Sequence, residues 1–187
     1  MDLSVYDNNG NMIYKKSWKY KLIKDSNFWY FGFRIKALRD FSDVKKGDLG
    51  GYIYGFHNLS QSGNCWVYNT AWVSDYASVS RNARVKNSVN VCDNAIISDN
   101  ACVYENAQVS GNAVVSGNAV VCGYAHVFGN AEVYENAQII DKTCISGNAQ
   151  VLGNAIISGY SKVSGDARVN YRVSGYENIQ MSVKNDL

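Results

Sequence analysis

The sequence predicts an all-β fold built as a parallel coil of triangular cross-section, and a strict six-residue repeat carries that prediction. Aliphatic residues occupy every sixth position from Val67 to Val169, eighteen times in succession and without an insertion. A small residue, most often alanine, stands two positions before almost every one of them, with Val89 as the bulky exception. Proline is absent and tyrosine occurs 14 times, and both features favour strands. A helical interpretation fails, because single aliphatic residues six apart do not form one face of an α-helix.

The repeat unit reads Gly-Asn-Ala-x-Val-x, and each of its positions predicts a place in the coil. Strand alternation puts alanine and valine on one side of the chain and both x residues on the other. The Gly-Asn pair suits a corner, because these two residues tolerate left-handed backbone conformations best. Three sides close a coil of eighteen residues, so eighteen hexads predict six stacked coils with a continuous apolar core.

Two stretches resemble known families. The repeat over residues 61–170 resembles the left-handed parallel β-helix of hexapeptide-repeat proteins, and this resemblance implies the left-handed sense of the coil. The stretch ALRDFSDVKKGDLGGYI (37–53), followed by NLSQSGNCWVY (58–68), is similar to the entry segment of bacterial and phage hexapeptide proteins that include the YdcK-like proteins. That similarity implies an N-terminal β region, a poorly defined function and genes that often lie in prophages.

The repeat also predicts the domain organisation. Residues 1–57 are aromatic and basic, with ten Lys/Arg against six Asp, and we expect a small N-terminal β cap and entry segment there. Within it, LSVYDNNGNMIYK predicts a hairpin around an Asn-Gly turn. The β-helix is predicted over 58–170, and because the hexad fails after Val169, residues 171–187 are expected to cap the last coil.

Composition and charge limit which classes of partner and which cellular compartment the sequence predicts. The net charge of +2 is too balanced to indicate nucleic acid as a partner, and no apolar run is long enough for a membrane span. The N-terminus lacks an apolar signal segment, and five cysteines suit reduced thiols. We therefore predict a cytoplasmic protein.

The only candidate for nucleophilic chemistry is His126 together with Cys144. They stand eighteen residues apart at outward positions, so they are expected to stack on adjacent coils, where a histidine can in principle activate a thiolate. The resemblance to hexapeptide acyltransferases implies a histidine base and acyl-coenzyme A bound between subunits. This chain has no inserted loop between residues 67 and 169, and no third group orients the pair. The interpretation that we favour is that both are isolated surface residues, and the enzyme question stays open, leaning towards no.

Other candidate sites have simpler explanations. Metal binding is not expected, because His57 and His126 lie in different regions and no Cys-x-x-Cys pair exists. No cofactor is expected either, except coenzyme A under the acyltransferase alternative. A basic patch in the cap either contacts an acidic partner or is a solvated strand face. Its residues are Lys15, Lys16, Lys19 and Lys21.

One outward face is apolar at its middle, and this indicates an interaction surface. Self-association as a dimer or trimer, or a protein partner, would use it; single exposed aliphatic residues are the ordinary alternative. Its residues are Tyr104, Val120, Cys122, Ile140 and Ile156.

Three functions follow from these observations. The first is a non-catalytic binding or scaffold protein, such as a phage or prophage accessory that inhibits or sequesters a host protein. The second is a hexapeptide-class acyltransferase, and the third is a self-assembling structural module. The rigid coil and the scarcity of catalytic groups favour the first.

Overall fold

The computed structural model describes residues 5–6, 12–13, 18–24 and 32–180, and within them it contains short strands, one 3₁₀ turn at Phe56–Asn58 and no α-helix. No helix in these ranges is long and apolar enough to cross a bilayer. In chain order the strands are β1 (Val5–Tyr6), β2 (Met12–Ile13), β3 (Tyr20–Ile23), β4 (Phe33–Ala37), β5 (Leu49–Ile53), β6 (Trp66–Val67), β7 (Trp72–Val73), β8 (Ser78–Val79), β9 (Arg84–Val85), β10 (Asn90–Val91), β11 (Ile96–Ile97), β12 (Cys102–Val103), β13 (Gln108–Val109), β14 (Val114–Val115), β15 (Val120–Val121), β16 (His126–Val127), β17 (Glu132–Val133), β18 (Gln138–Ile139), β19 (Cys144–Ile145), β20 (Gln150–Val151), β21 (Ile156–Ile157), β22 (Lys162–Val163), β23 (Arg168–Val169) and β24 (Asn178–Ile179).

The strands from β5 onward stack into three parallel walls, which confirms the predicted β-helix. Wall 1 contains β5, β7, β10, β13, β16, β19, β22 and β24; wall 2 contains β8, β11, β14, β17, β20 and β23; wall 3 contains β6, β9, β12, β15, β18 and β21. In the regular coils, the residues that pair within a wall are eighteen positions apart in sequence, as Val91 is from Val109 and Val109 is from Val127. Each coil therefore bonds only to its neighbours along the stack.

The core is the predicted column of alanine and aliphatic residues. Val103, Val121 and Ile139 have no exposed surface, and neither do the alanines that precede them by two positions. Each fully buried valine contributes about 1.5–3 kcal/mol relative to an exposed one. The six-residue period is kept because one slipped residue would turn a valine outward.

The stack has about seven turns rather than the predicted six, because an additional coil precedes the hexads. Ile53 pairs with Val73, and Leu59 bridges to Val79, in both cases twenty residues apart. The extra two residues lie between Leu59 and Val67. Because this corner is longer than the others, the aliphatic residues of the first coil do not fit the six-residue spacing of the repeat.

The stack also continues past the last predicted hexad. Val173 bridges to Ile157, and Ile179 pairs with Val163, both at sixteen residues. Two residues are thus missing from the corner after Val169, while the walls themselves continue. The expected C-terminal cap falls on this shortened coil, and its residues 181–187 lie outside the described ranges.

The N-terminal region packs against the first coil. β1 and β2 pair antiparallel, and the predicted Asn-Gly turn between them lies outside the described residues. β3, β4 and β5 pair antiparallel and extend wall 1. Phe41 and Tyr20 cover Trp66, with ring centroids 5.3 and 6.1 Å from the indole. Trp66 is therefore 1% exposed, although the strand alternation turns it outward from the coil.

Candidate functional site

Hydrogen-bonded asparagines run down two of the three corners. The side chain of each asparagine donates to the next one eighteen residues on, with donor–acceptor distances of 3.0–3.3 Å at the first corner and 2.8–3.1 Å at the second. The first ladder is Asn64, Asn82, Asn100, Asn118, Asn136 and Asn154. The second is Asn94, Asn112, Asn130, Asn148 and Asp166. These ladders satisfy polar side chains where the chain turns.

The third corner carries a different column, which we name the tyrosine ladder: Tyr124, Lys142, Tyr160 and Tyr176. The Lys142 ammonium lies 5.9 Å from the ring centroid of Tyr124 and 5.4 Å from that of Tyr160. Tyr160 and Tyr176 stack with centroids 5.0 Å apart and ring planes 3° from parallel. A cation between two rings and a stacked pair together make a continuous column of side chains along the corner.

Backbone hydrogen bonds to the next coil hold the main chain of Tyr124, Lys142 and Tyr160 in place. The N–H of Tyr124 donates to the Asp141 carbonyl at 2.6 Å, and that of Tyr160 donates to the Gly175 carbonyl at 2.6 Å. Gly123, which precedes Tyr124, has a φ of 74°, and a Cβ there would stand 2.5 Å from the Asp141 carbonyl oxygen. The left-handed conformation and the close approach of the next coil both favour glycine at this position.

Carboxylates complete the same corner. The Glu105 side chain accepts a hydrogen bond from the Gly123 N–H at 2.7 Å, and Asp141 accepts one from the Gly159 N–H at 2.9 Å. Both acidic residues have positive φ themselves. An acidic residue therefore bonds the glycine of the following coil, and this contact fixes the base of the ladder.

The ladder is open to solvent and lines a cleft. Tyr124, Tyr160 and Tyr176 are 58%, 49% and 83% exposed. A surface cleft of about 420 Å³ is lined by Gly123, Tyr124, Asp141, Lys142, Gly159 and Tyr160. Several large aromatic rings thus reach solvent in one line along this corner.

The predicted apolar face, on wall 3, adjoins this corner. Val120, Ile140 and Ile156 are half-buried, and Val120, Gln138 and Ile156 lie in register on three successive coils. The hydrogen bond with Cys122 raises the pKa of Tyr104 to about 12. Burial raises the pKa of the Cys122 thiol, and Cys122 itself is only 8% exposed. Cys122 is therefore packed into the face, with little surface of its own to offer a partner.

The predicted neighbours His126 and Cys144 lie on the other side of the corner. They pair in register on adjacent strands of wall 1, as the eighteen-residue spacing indicates. Burial raises the pKa of the Cys144 thiol, and the nearby Lys162 and a hydrogen bond with Ser146 oppose this only in part. A raised pKa keeps the thiol neutral, which is the opposite of nucleophile activation.

The predicted basic patch needs one correction. Lys19 has no exposed surface: its ammonium donates to the Cys65 carbonyl at 2.9 Å and lies 5.4 Å from the Phe41 ring centroid. The simple alternation of strand β3 cannot predict this, because the first coil covers the face that carries Lys19. Lys21 is half-buried, and Lys15 and Lys16 lie outside the described residues.

Among the described residues, three side chains of the kinds that bind metal ions lie close together at the second corner. Side-chain donor atoms of Asp75, Cys92 and Asp93 lie within 4.8 Å of one another. Both carboxylates already accept backbone hydrogen bonds at this corner. Asp75 accepts one from the Asp93 N–H at 3.3 Å, and Asp93 accepts one from the Gly111 N–H at 2.8 Å. Burial and the two neighbouring carboxylates raise the pKa of the Cys92 thiol. Corner hydrogen bonding accounts for this group without a metal.

The repeat itself carries a sign of this column, because Gly-Tyr stands at 123–124 where most corners have Gly-Asn. The same column also holds Asp-Lys at 141–142 and Gly-Tyr at 159–160 and 175–176. The column becomes apparent only when the corner residues of successive coils are aligned with one another. The two-residue deletion before Val173 changes the spacing between Tyr160 and Tyr176 and so conceals the last member of the column.

Comparison with known proteins identifies the repeat. Residues 107–123 match the family model described as the YdcK β-solenoid repeat. A search of curated proteins gives no match.

Proposed function

We propose that this β-solenoid, whose residues 107–123 match the YdcK repeat, is a non-catalytic binding scaffold, and that the tyrosine ladder with the adjoining apolar part of wall 3 is its protein-binding surface. The observation that carries the proposal is the exposed column of Tyr124, Lys142, Tyr160 and Tyr176.

The fold does not require aromatic residues at this corner. The other two corners carry asparagines, whose side chains hydrogen-bond from coil to coil. Three tyrosines with about half or more of their surface exposed leave apolar area in contact with water. Their presence is explained if another molecule covers them.

The ladder suits a protein partner because its side chains are ordered before binding. Tyrosine has few rotatable bonds, and stacking on Lys142 and on Tyr176 restricts those of Tyr160 further. Little conformational entropy is then lost on association, and tyrosine is among the residues that most often dominate binding energy.

The surroundings of the ladder provide a polar rim. Asp141 and Lys162 flank the aromatic column, while Ile140 continues it on wall 3. An aromatic and aliphatic centre with charged residues at its edge is the usual anatomy of a protein–protein interface. A cytoplasmic accessory of phage or prophage origin that sequesters a host protein would use such a surface.

The test compares ladder variants in a pull-down from host lysate. Tyr124→Asn, Tyr160→Asn and Tyr176→Asn together restore the residue found at the other corners. Asn112→Ala with Asn130→Ala, on the second corner, is the matched control. We expect the wild type and the control to retain one stoichiometric partner, and the tyrosine variant to lose it. The captured protein is then purified, and we expect its Kd to rise at least about tenfold for the tyrosine variant only.

Two results would refute the proposal: retention of the partner by the tyrosine variant, or no stoichiometric partner for the wild type. Light scattering of the purified chain separates the remaining alternatives. A discrete dimer or trimer that the tyrosine variant reduces to monomers would assign the surface to self-association, and large open-ended assemblies would indicate a structural module.

A further inference from the structure

The buried amine of Lys19 lies against the thiol of Cys65. The Lys19 Nζ is 3.2 Å from the Cys65 Sγ, and both residues have no exposed surface. The same ammonium donates to the Cys65 carbonyl at 2.9 Å and to the Ser62 carbonyl at 3.4 Å. The amine donates a hydrogen bond to the sulfur, and both heavy atoms are also held by backbone carbonyl groups.

The surroundings favour a neutral, nucleophilic amine. Burial lowers the pKa of Lys19, against the opposing effect of Cys65, and Arg39 lowers it further. The described residues give Lys19 no carboxylate partner. A desolvated lysine without a counter-ion loses its proton more readily than a surface lysine does.

The sulfur lies directly behind an exposed loop. Residues 62–64 are exposed, and the Cys65 Sγ contacts the carbonyl oxygens of Ser60 and Ser62 at 3.6 and 3.7 Å. One layer of backbone therefore separates the thiol from solvent. A small oxidant reaches it when this loop opens locally.

We propose that Lys19 and Cys65 form an oxidative cross-linking site, at which hydrogen peroxide converts the contact into a covalent sulfenamide. Peroxide first oxidises the Cys65 thiol to a sulfenic acid by two electrons and is itself reduced to water. The lone pair of the Lys19 amine then attacks the sulfur, the S–N bond forms, and the S–O bond breaks. The departing hydroxyl takes the proton released by the amine and leaves as a second water.

The cross-link would join segments that are 46 positions apart in sequence. It would fasten the residue before strand β3 to the residue before strand β6, at the end of the first coil. A dithiol reductant would reverse it, because thiolate attack on the sulfur returns the amine and the thiol.

The chain offers matched controls. Cys65 occupies the small-residue position of its hexad, where alanine stands in most coils, so Cys65→Ala should fold. Lys19→Arg keeps the positive charge but has no nucleophilic amine. Four other cysteines, Cys92, Cys102, Cys122 and Cys144, report ordinary thiol oxidation in the same molecule.

The experiment treats the full chain with hydrogen peroxide and measures intact mass and proteolytic peptides. We expect a loss of about 2 Da in the wild type, a linked peptide pair containing Lys19 and Cys65, and recovery of the original mass with dithiothreitol. Neither variant should yield the linked pair. Oxidation of Cys65 that stops at added oxygen, with Lys19 unlinked, would overturn the proposal, as would an unmodified Cys65 after the other four thiols have reacted.

Discussion

Tyr160 and Tyr176 stack face to face with ring centroids 5.0 Å apart, although they are sixteen residues apart in a chain whose coils have eighteen. The two-residue deletion before Val173 lies at the preceding corner, so the ladder corner regains its position in the last coil. The tyrosine column therefore continues through the one irregular coil at this end of the stack.

The first prediction concerns the glycine at the base of the ladder. We expect Gly123→Ala to lower the free energy of unfolding by at least about 2 kcal/mol, because the cost of a left-handed alanine adds to a clash with the Asp141 carbonyl. Gly175→Ala is the matched control, since its φ is 81° but no atom lies within 4 Å of the added Cβ. Urea unfolding of both variants measures the difference. Equal losses would mean that coil contact plays no part.

The second prediction concerns register within one strand. Val121 is fully buried and Val120 is half-buried on the outer side of the same strand. We expect Val121→Ala to destabilise the fold by about 1–3 kcal/mol, through lost burial and a cavity, and Val120→Ala to change stability by less than about 0.5 kcal/mol. Thermal unfolding checks both. A larger effect at Val120 would contradict the inward assignment of the aliphatic column.

The regular coils could be predicted from the sequence because each one repeats the same local chemistry. An aliphatic residue at every sixth position fixes the period, and the small residue before it fixes the inward face. The first coil was not predicted, since its Ile53 and Leu59 are separated from Val67 by a longer corner. The six-residue period therefore identifies only the coils that keep that spacing.

The burial of Lys19 and Trp66 could not be predicted for a different reason. Both depend on how the N-terminal segment packs on the first coil, through contacts between residues far apart in sequence, such as Lys19 with Cys65 and Tyr20 with Trp66. Periodicity describes the coil and carries no information about what covers it. The ladder falls between these cases: its residues repeat by coil, but their stacking depends on side chains that differ from coil to coil.

A third prediction tests whether His126 activates Cys144. Because burial raises the pKa of the Cys144 thiol, less thiolate is present at about pH 8 than for a free cysteine, and alkylation by iodoacetamide should be slower. The rate should rise with pH well beyond the range in which histidine titrates. His126→Ala should leave the rate within about twofold of wild type. Peptide mapping by mass spectrometry gives the rate at this cysteine alone. A marked decrease in the variant would revive the nucleophile hypothesis.

A fourth prediction addresses acyl transfer directly. The acyltransferase alternative requires His126 to act as a base towards an acceptor while acyl-coenzyme A is bound. We expect no binding of acetyl-coenzyme A by calorimetry, and no thiol release above the background rate with amine or hydroxyl acceptors. His126→Asn is the control for any release that is found. Saturable binding together with release that this variant abolishes would replace the scaffold proposal with an enzyme.

The last prediction concerns the lysine inside the ladder. Lys142 lies between the rings of Tyr124 and Tyr160, and a cation–π contact at an exposed site contributes about 0.5–1 kcal/mol. Lys142→Gln should therefore lower the free energy of unfolding by about 1 kcal/mol, whereas Lys142→Arg should keep most of it, because a guanidinium also stacks on aromatic rings. Urea unfolding at low and high salt measures both, and the loss should change little with salt, since no carboxylate pairs with Lys142 among the described residues. If Gln and Arg behave alike, the lysine is only a spacer between the tyrosines, and the ordered column rests on the Tyr160–Tyr176 stack alone.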